Sequence, residues 1–441
     1  MKPLLHNRPV RFATAFLALA MLLPTLGRTA PDESYIQITG GSAAQLPLGL
    51  PPLKQESGNL SSSAELLRAV IQRDLTLSGY FALLADEANL EPNSAGIAPG
   101  DFDFEHWRVP GAVGLVKAAL SLEGGLFTVR LHVYDVDAAT EILTRSISSA
   151  EPRRLAHQVA NAVVEAFTGS PGVFDTQLVT IVDFGSGKEV YTVDYDGANR
   201  RSVSRNGSIN LSPSWSPDGQ HIAYTSYRDN NPDLWVTDLR SGRHKKLSAR
   251  SGINAGAEWS PDGKEIALTL SKDQDSEIYA LGPDGAIVAR LTRNWGIDVS
   301  PTYSPGGNQM AFVSSRYGSP QVFLMNRDGP DQVRLTQMGG HNVGPAFSPD
   351  GSRVVFAGRD EGRFDIFVIN TDGTGLRRLT QSSGDDEDPT WSPDGNHIVF
   401  SSSRGGGGRQ LYIMTADGNH QARLTDGRGS YTNPMWGPKA K

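Results

Sequence analysis

The sequence predicts an all-β six-bladed β-propeller preceded by a small α/β domain with a mixed sheet and two helices. Three observations carry that expectation. A seven-residue phrase recurs as PSWSPDG at 213–219, AEWSPDG at 257–263, PTYSPGG at 301–307, PAFSPDG at 345–351 and PTWSPDG at 389–395, and a clipped PMWGP closes the series at 434–438. Its aromatic residue falls at 215, 259, 303, 347, 391 and 436, a period of 44 with one slip to 45. A repeat of about 40–45 residues built from short strands is the mark of a propeller blade. The residues before about 170 lack this phrase and follow helical and alternating patterns instead.

In chain order, the first segment is a leader. Lys2, Arg8 and Arg11 precede a largely apolar, uncharged run at 12–26, and small residues follow near Gly27 and Ala30. That is the layout of a secretory signal peptide over 1–30, cut after 27 or after 30 and too short for a comfortable membrane span. The α/β domain is expected over 32–170. A strand is expected at 35–39. A capping-box start at Ser62 to Glu65 opens a helix that places Leu66, Leu67, Val70, Ile71 and Leu75 on one face and ends near Gly79. Strands follow at 81–84, 114–122, 127–136 and 142–147, the middle two joined as a hairpin through Glu123-Gly124-Gly125. A second helix starts at Pro152, turns Leu155, Val159, Val163 and Phe167 inward and stops at Gly169. Gly169-Ser170-Pro171-Gly172 is the hinge.

The propeller is expected over 178–441. Each unit supplies four meander strands, ending on an outer strand such as Arg290-Leu291-Thr292 or Arg334-Leu335-Thr336. Ser-Pro-Asp-Gly suits the first turn. Pro sets φ, Asp accepts from amides ahead of it, and Gly takes the positive φ that re-enters the next strand. Gly306 replaces Asp in the third copy and is expected to loosen that turn. The segment from 178 to about 204 carries three strands without the phrase, and 434–438 carries the phrase without further strands. Together they complete a sixth blade, a latch that removes two open edges.

Composition narrows function. There are no cysteines, so disulfides, thiolate metal sites and cysteine nucleophiles are excluded. Net charge is −7, and removing the basic leader makes the rest more acidic. With no basic stripe, nucleic acid is an unexpected partner. No segment after the leader has the length to span a bilayer. Gly-x-Ser-x-Gly, His-Glu-x-x-His and Walker sequences are missing, and Gly185-Ser186-Gly187-Lys188 reads as a hairpin turn. No enzyme, cofactor or metal is therefore expected; the alternative is a propeller-type polysaccharide lyase or hydrolase accessory.

In a four-strand meander the Ser-Pro-Asp-Gly and Asp-Gly turns share one rim. The connections between blades share the other and border the channel. Those connections, near 206–212, 250–256, 294–300, 338–344, 382–388 and 427–433, differ from one another in charge and shape. Binding is expected on loops held by a rigid scaffold. His341 and Asn342 stand at this mouth. The acidic run Asp385-Asp386-Glu387-Asp388 reads as a solvated loop, a basic partner's contact or a weak Ca²⁺ site.

The exported leader, the α/β domain, six blades and the terminal PMWGP together resemble the TolB family, periplasmic proteins of the Tol–Pal system. The resemblance runs from about residue 34 to the C-terminus and includes 103–114, 154–174 and 334–351. It implies a non-enzymatic scaffold that binds the Pal lipoprotein at the channel mouth, and bacteriocin translocation segments that imitate Pal there. On this chain the implied Pal contacts are Ile253, Asn254, Gly256, Asp298, Val299, Ser300, His341, Asn342, Asp386, Glu387 and Asp388. A family His-Asn pair is replaced here by Ile253-Asn254. TolA is implied to engage the N-terminal strand at Tyr35, Ile36, Gln37 and Ile38.

Overall fold

The computed structural model describes residues 44–439 except 93 and 361. The leader and the expected strand with Tyr35, Ile36, Gln37 and Ile38 lie outside the described residues. Six four-stranded antiparallel sheets form the propeller, five of them meanders of consecutive strands. Blades 1 to 5 open on innermost strands Asn210–Trp215, Asn254–Trp259, Asp298–Tyr303, His341–Phe347 and Asp386–Trp391. Blade 6 takes its innermost strand, Ser430–Trp436, from the C-terminus and pairs it antiparallel with Gln177–Asp183.

The motif aromatics fill the seams between blades. Trp391 packs among Val355, Ala357, Ile366 and Val368 of blade 4 and Ile398 and Phe400 of its own blade. In Ser-Pro-Asp-Gly the serine hydroxyl donates to the aspartate, as in Ser260 to Asp262 at 2.7 Å, and accepts the N–H that starts the next strand. The third copy does not loosen. Ser304 Oγ donates to Asn308 Oδ1 at 3.0 Å instead, and the turn bond from Gly307 N to Ser304 O stays at 2.8 Å. Asn308, two residues further on, supplies the acceptor that Gly306 lacks.

The N-terminal domain has a six-stranded mixed sheet, in which Leu46–Gly49 pairs parallel with Phe81–Leu83 and with Gly114–Glu123. Helices α1 (Ser61–Leu77) and α3 (Pro152–Thr168) pack together, and a single turn, α2 (Glu105–Arg108), is added. The capping box of α1 does not form. Asn59 Oδ1 accepts from Ser61 N and Oγ, and Gln55 Oε1 from Leu60 N. Leu66 is exposed rather than in the core, because α1 buries the stripe Leu67, Val70, Ile71, Asp74 and Leu75.

This domain sits on the Ser-Pro-Asp-Gly rim, over blades 5 and 6. His397 Nε2–H donates to the carbonyl of Ser78 at 2.9 Å, and the His397 ring meets Tyr80 edge-on at 5.9 Å. Arg73 donates to the carbonyl of Leu424 at 2.9 Å, and Arg153 of α3 pairs with Asp194 and Asp196 of blade 6. Trp436 closes the seam by donating Nε1–H to Thr176 Oγ1 at 2.7 Å and packing against Tyr195. Turns that read as structural punctuation thus carry the domain interface.

Candidate functional site

The channel mouth is built from the innermost strands. Each has one residue in the left-handed region: Ser212, Gly256, Ser300, Gly344, Asp388 and Asn433, with φ between 47° and 62°. Pairing with the second strand skips a step there in every blade, for example between Ala255 and Glu258 and between Glu387 and Thr390. This bulge bends the strand and frees the next residue from the ladder. Proline fills that place at 213, 301, 345, 389 and 434, where a missing N–H costs nothing. The bulges and prolines enclose a channel of about 510 Å³.

Above the bulge, a buried residue at the start of the innermost strand, first in blades 2, 3 and 5 and second in blade 4, pins the inter-blade loop. Asn254 donates to the carbonyls of Arg250 at 2.7 Å and Gly252 at 3.1 Å and accepts from Ser248 Oγ at 2.6 Å. Asn342 donates to Met338 O at 2.7 Å and Gln321 Oε1 at 2.8 Å. Asp298 and Asp386 accept from Arg316 at 2.9 Å and Arg404 at 2.7 Å. All four side chains are buried. They shape the loops from beneath instead of facing a ligand with their polar atoms.

The acidic run is therefore not a solvated loop. It enters a strand, and each carboxylate has a protein partner. Asp385 accepts from Phe364 N at 3.1 Å, Asp386 from Arg404 and Glu387 from Arg409. Asp388 accepts from Asn433 N at 3.0 Å. Burial raises the Asp388 and Glu387 carboxyls above the usual range. Glu258, in the channel wall of blade 2, is pushed up to about 7 by burial, which the hydrogen bond from Ser214 only partly offsets.

Ile253, Val299, His341 and Glu387 keep part of their surface open at this rim, while Gly256, Ser300 and Asp388 line the channel below. His341 meets Phe364 edge-on at 5.4 Å. Sequence reasoning missed the largest apolar groups here. Trp295 is 76% exposed, Tyr317 70% and Ile297 55%, with Ile209 and Met338 also open. Ile209, Ile253 and Ile297 hold the same register in blades 1 to 3, one residue before the pinning residue. That repeat was the available signal. The mouth has an apolar arc over blades 1 to 3 and a charged arc at blade 5, where Arg409 joins Asp385 and Glu387.

Among the described residues, one cluster has the donor types of a metal site: His157, Asp194 and Asp196, at the seam between domains. Arg153 already lies on both aspartates. Asp194 also accepts from Asn199 Nδ2 at 2.6 Å and from Gln177 Nε2 at 3.2 Å, so both its oxygens already have donors. A guanidinium fills the cation's place.

Two family descriptions match the chain: a TolB amino-terminal domain over residues 34–142, and a TolB beta propeller domain over 164–342 and 331–441. Among curated relatives, the Tol-Pal system protein TolB of Desulfosudis oleivorans is 37% identical over 234 residues, 51% of this chain and 52% of that protein. That of Roseobacter denitrificans is 34% identical over 241 residues, 53% of this chain and 54% of that protein. The chain thus spans about half the length of these relatives in the matched stretches. The crystal structure of TolB from Acinetobacter baumannii superposes with a TM-score of 0.80 at 27% identity, covering 90% of this chain and 97% of that one. With both its domains matched, the chain belongs to the TolB family.

Proposed function

We propose that this chain is a non-enzymatic periplasmic scaffold of the Tol–Pal system, exported by the leader at 1–30. Its channel mouth docks the Pal lipoprotein, and bacteriocin segments use the same surface where they exploit it. Its N-terminal segment, through Tyr35, Ile36, Gln37 and Ile38, engages TolA. In this role it supports outer-membrane integrity and cell division. What carries the reading is the mouth: large apolar side chains stand open on loops that buried residues hold rigid. Rigid aromatic anchors beside polar contacts are what protein–protein hot spots use.

The docking contacts are the outward groups, Ile253, Val299, His341 and Glu387, joined by Trp295 and Tyr317. Asn254, Asp298, Asn342 and Asp386 act by holding the loops, and Gly256, Ser300 and Asp388 by shaping the wall beneath. The test is calorimetric titration of the full exported chain with the soluble domain of the cognate Pal. Trp295→Ala and Tyr317→Ala should each weaken binding by about tenfold or more without moving the melting temperature. His341→Ala should weaken it less. Unchanged affinity in all three, in folded protein, overturns the assigned surface.

A further inference from the structure

We propose that the groove between blades 1 and 2, on the rim opposite the docking mouth, receives an arginine side chain of a partner protein. The argument starts from the six motif aromatics. Trp215, Tyr303, Phe347, Trp391 and Trp436 are all buried, whereas Trp259 alone is only partly covered. It lines a groove of about 970 Å³ with Pro217, Asp218, His221, Asp238 and Pro283.

The neighbouring seams explain what is missing. The residue that enters the turn after the third strand is Leu239, Pro283, Arg327, Thr371, Ala416 and Tyr195 in blades 1 to 6, one past the last ladder pair, or two past it in blade 2, where the ladder ends at Leu281. In blade 3, Arg327 lies 5.9 Å from the Tyr303 ring centre. It is held there by Glu265 at 2.8 Å and by Asp262 at 4.0 Å, both from blade 2. In blade 5 the position is Ala416, and Arg353 of blade 4 covers Trp391 at 4.7 Å instead. In blade 6 Tyr195 covers Trp436 at 5.6 Å. Twice, then, the fold itself sets a guanidinium on this ring.

At Trp259 neither route supplies a guanidinium: the His221 ring stands beside the indole, 6.4 Å centre to centre and tilted by 38°, and leaves it partly open. The Arg327 position is Pro283, and the position of Arg353 and Glu265 is His221. Among the described residues, no arginine or lysine stands over the Trp259 ring. The carboxylates of the cradle remain: Asp218 occupies the place of Asp262, and Asp238 lies on the other side of His221, 3.9 Å from its ring. Arg243 and Lys245 also line the groove and set an electrostatic limit on how basic the incoming segment can be. A single arginine, delivered by a segment that is not otherwise strongly basic, fits the ring and the carboxylates. Lysine offers a point charge without the planar stack and suits the cradle less well. This site is independent of the docking mouth, and its failure leaves that reading untouched.

The test uses the full exported chain labelled with 5-fluorotryptophan and followed by ¹⁹F NMR. The probes are N-acetyl-arginine amide and its neutral isostere N-acetyl-citrulline amide. The Trp259 signal, assigned by its loss in Trp259→Phe, should shift saturably with the arginine probe in the millimolar range and not with citrulline. Pro283→Arg places the cation in the same chain and should abolish the response while the fold is kept. If Trp259→Phe disturbs folding, Pro283→Arg identifies the signal by its own shift. No saturable shift, equal shifts with both probes, or an undiminished response in folded Pro283→Arg overturns the proposal. A concentration-dependent shift with protein alone, lost on dilution, would also overturn it in favour of a second copy of the chain.

Discussion

Asp74 and His157 meet at 2.7 Å where α1 packs on α3, fully buried, next to the Arg153 pairs that join the domains. Burial pushes the Asp74 carboxyl up to about 7 despite the His157 bond. For His157 burial acts downward, but the bond and charge of Asp74 prevail and raise it. Arg153 opposes and Asp196 favours proton retention at both groups. Both folded values therefore lie above the unfolded ones. Such groups contribute stability that is complete below their unfolded pKa and is lost as pH rises through the folded value. The loss from Asp74 runs between about pH 4 and 7, and His157 extends it upward past its ordinary 6.5. The double variant Asp74→Asn/His157→Gln should remove this slope. Urea unfolding should show the wild type gaining about 1–3 kcal/mol relative to the variant between pH 8 and pH 5. A parallel pH dependence in the two proteins would contradict the shared proton. None of this was legible in the sequence: 83 positions separate the partners, and Asp74 reads as one polar residue on a helix.

At the scale of the strand, the left-handed residues decide the shape of the mouth. Ser300 has φ 54° and is flanked by Val299 and Pro301. A β-branched side chain there crowds its own backbone, at a cost of about 1–2 kcal/mol, whereas glycine enters the region freely. Ser300→Val should lower stability by that amount, and Ser300→Gly should stay within about 1 kcal/mol of the wild type. Equal stability of the two in chemical denaturation would argue against the bulge as the controlling feature. The sequence made the outer architecture readable because Ser-Pro-Asp-Gly fixes its turn by local chemistry, and the structure repeats that chemistry turn by turn. The bulge was harder to see. Its six positions are Ser, Gly, Ser, Gly, Asp and Asn, which share a backbone tolerance rather than a side chain. The same limit applies to the site. The polar residues Asn254, Asp298, Asn342 and Asp386 stand out in the sequence, yet their partners lie up to 21 positions away and hold them buried in the fold. Exposure, which picks out Trp295 and Tyr317, depends on how loops from different blades fall beside each other.

For the whole molecule the decisive joint is the closure of the ring. The innermost strand of blade 6 comes from the end of the chain, and the other three strands of that blade come from before blade 1. Tyr431 and Trp436 are buried by this pairing, Met435 packs beside Trp215 and Val179, and Thr180 Oγ1 donates to the carbonyl of Thr432 at 2.9 Å. Trp436 also ties the ring to Thr176, at the start of the propeller under the N-terminal domain. Removing residues 430–441 would strip all of this at once. It would leave the strand Gln177–Asp183 and the seam face of blade 5 open, and unpaired strand edges recruit other chains. Two buried aromatics alone contribute about 3–6 kcal/mol of transfer free energy, a large share of a typical domain's net stability. The truncated chain should therefore fail to give a folded monomer, either melting well below the full chain or eluting as oligomers in size exclusion. Trp436→Phe keeps the strand and loses the bond to Thr176, so it should melt by a few degrees less than wild type and remain monomeric. A truncated monomer with an unchanged melting temperature would mean that the ring is held by its other five seams and that the latch carries no load.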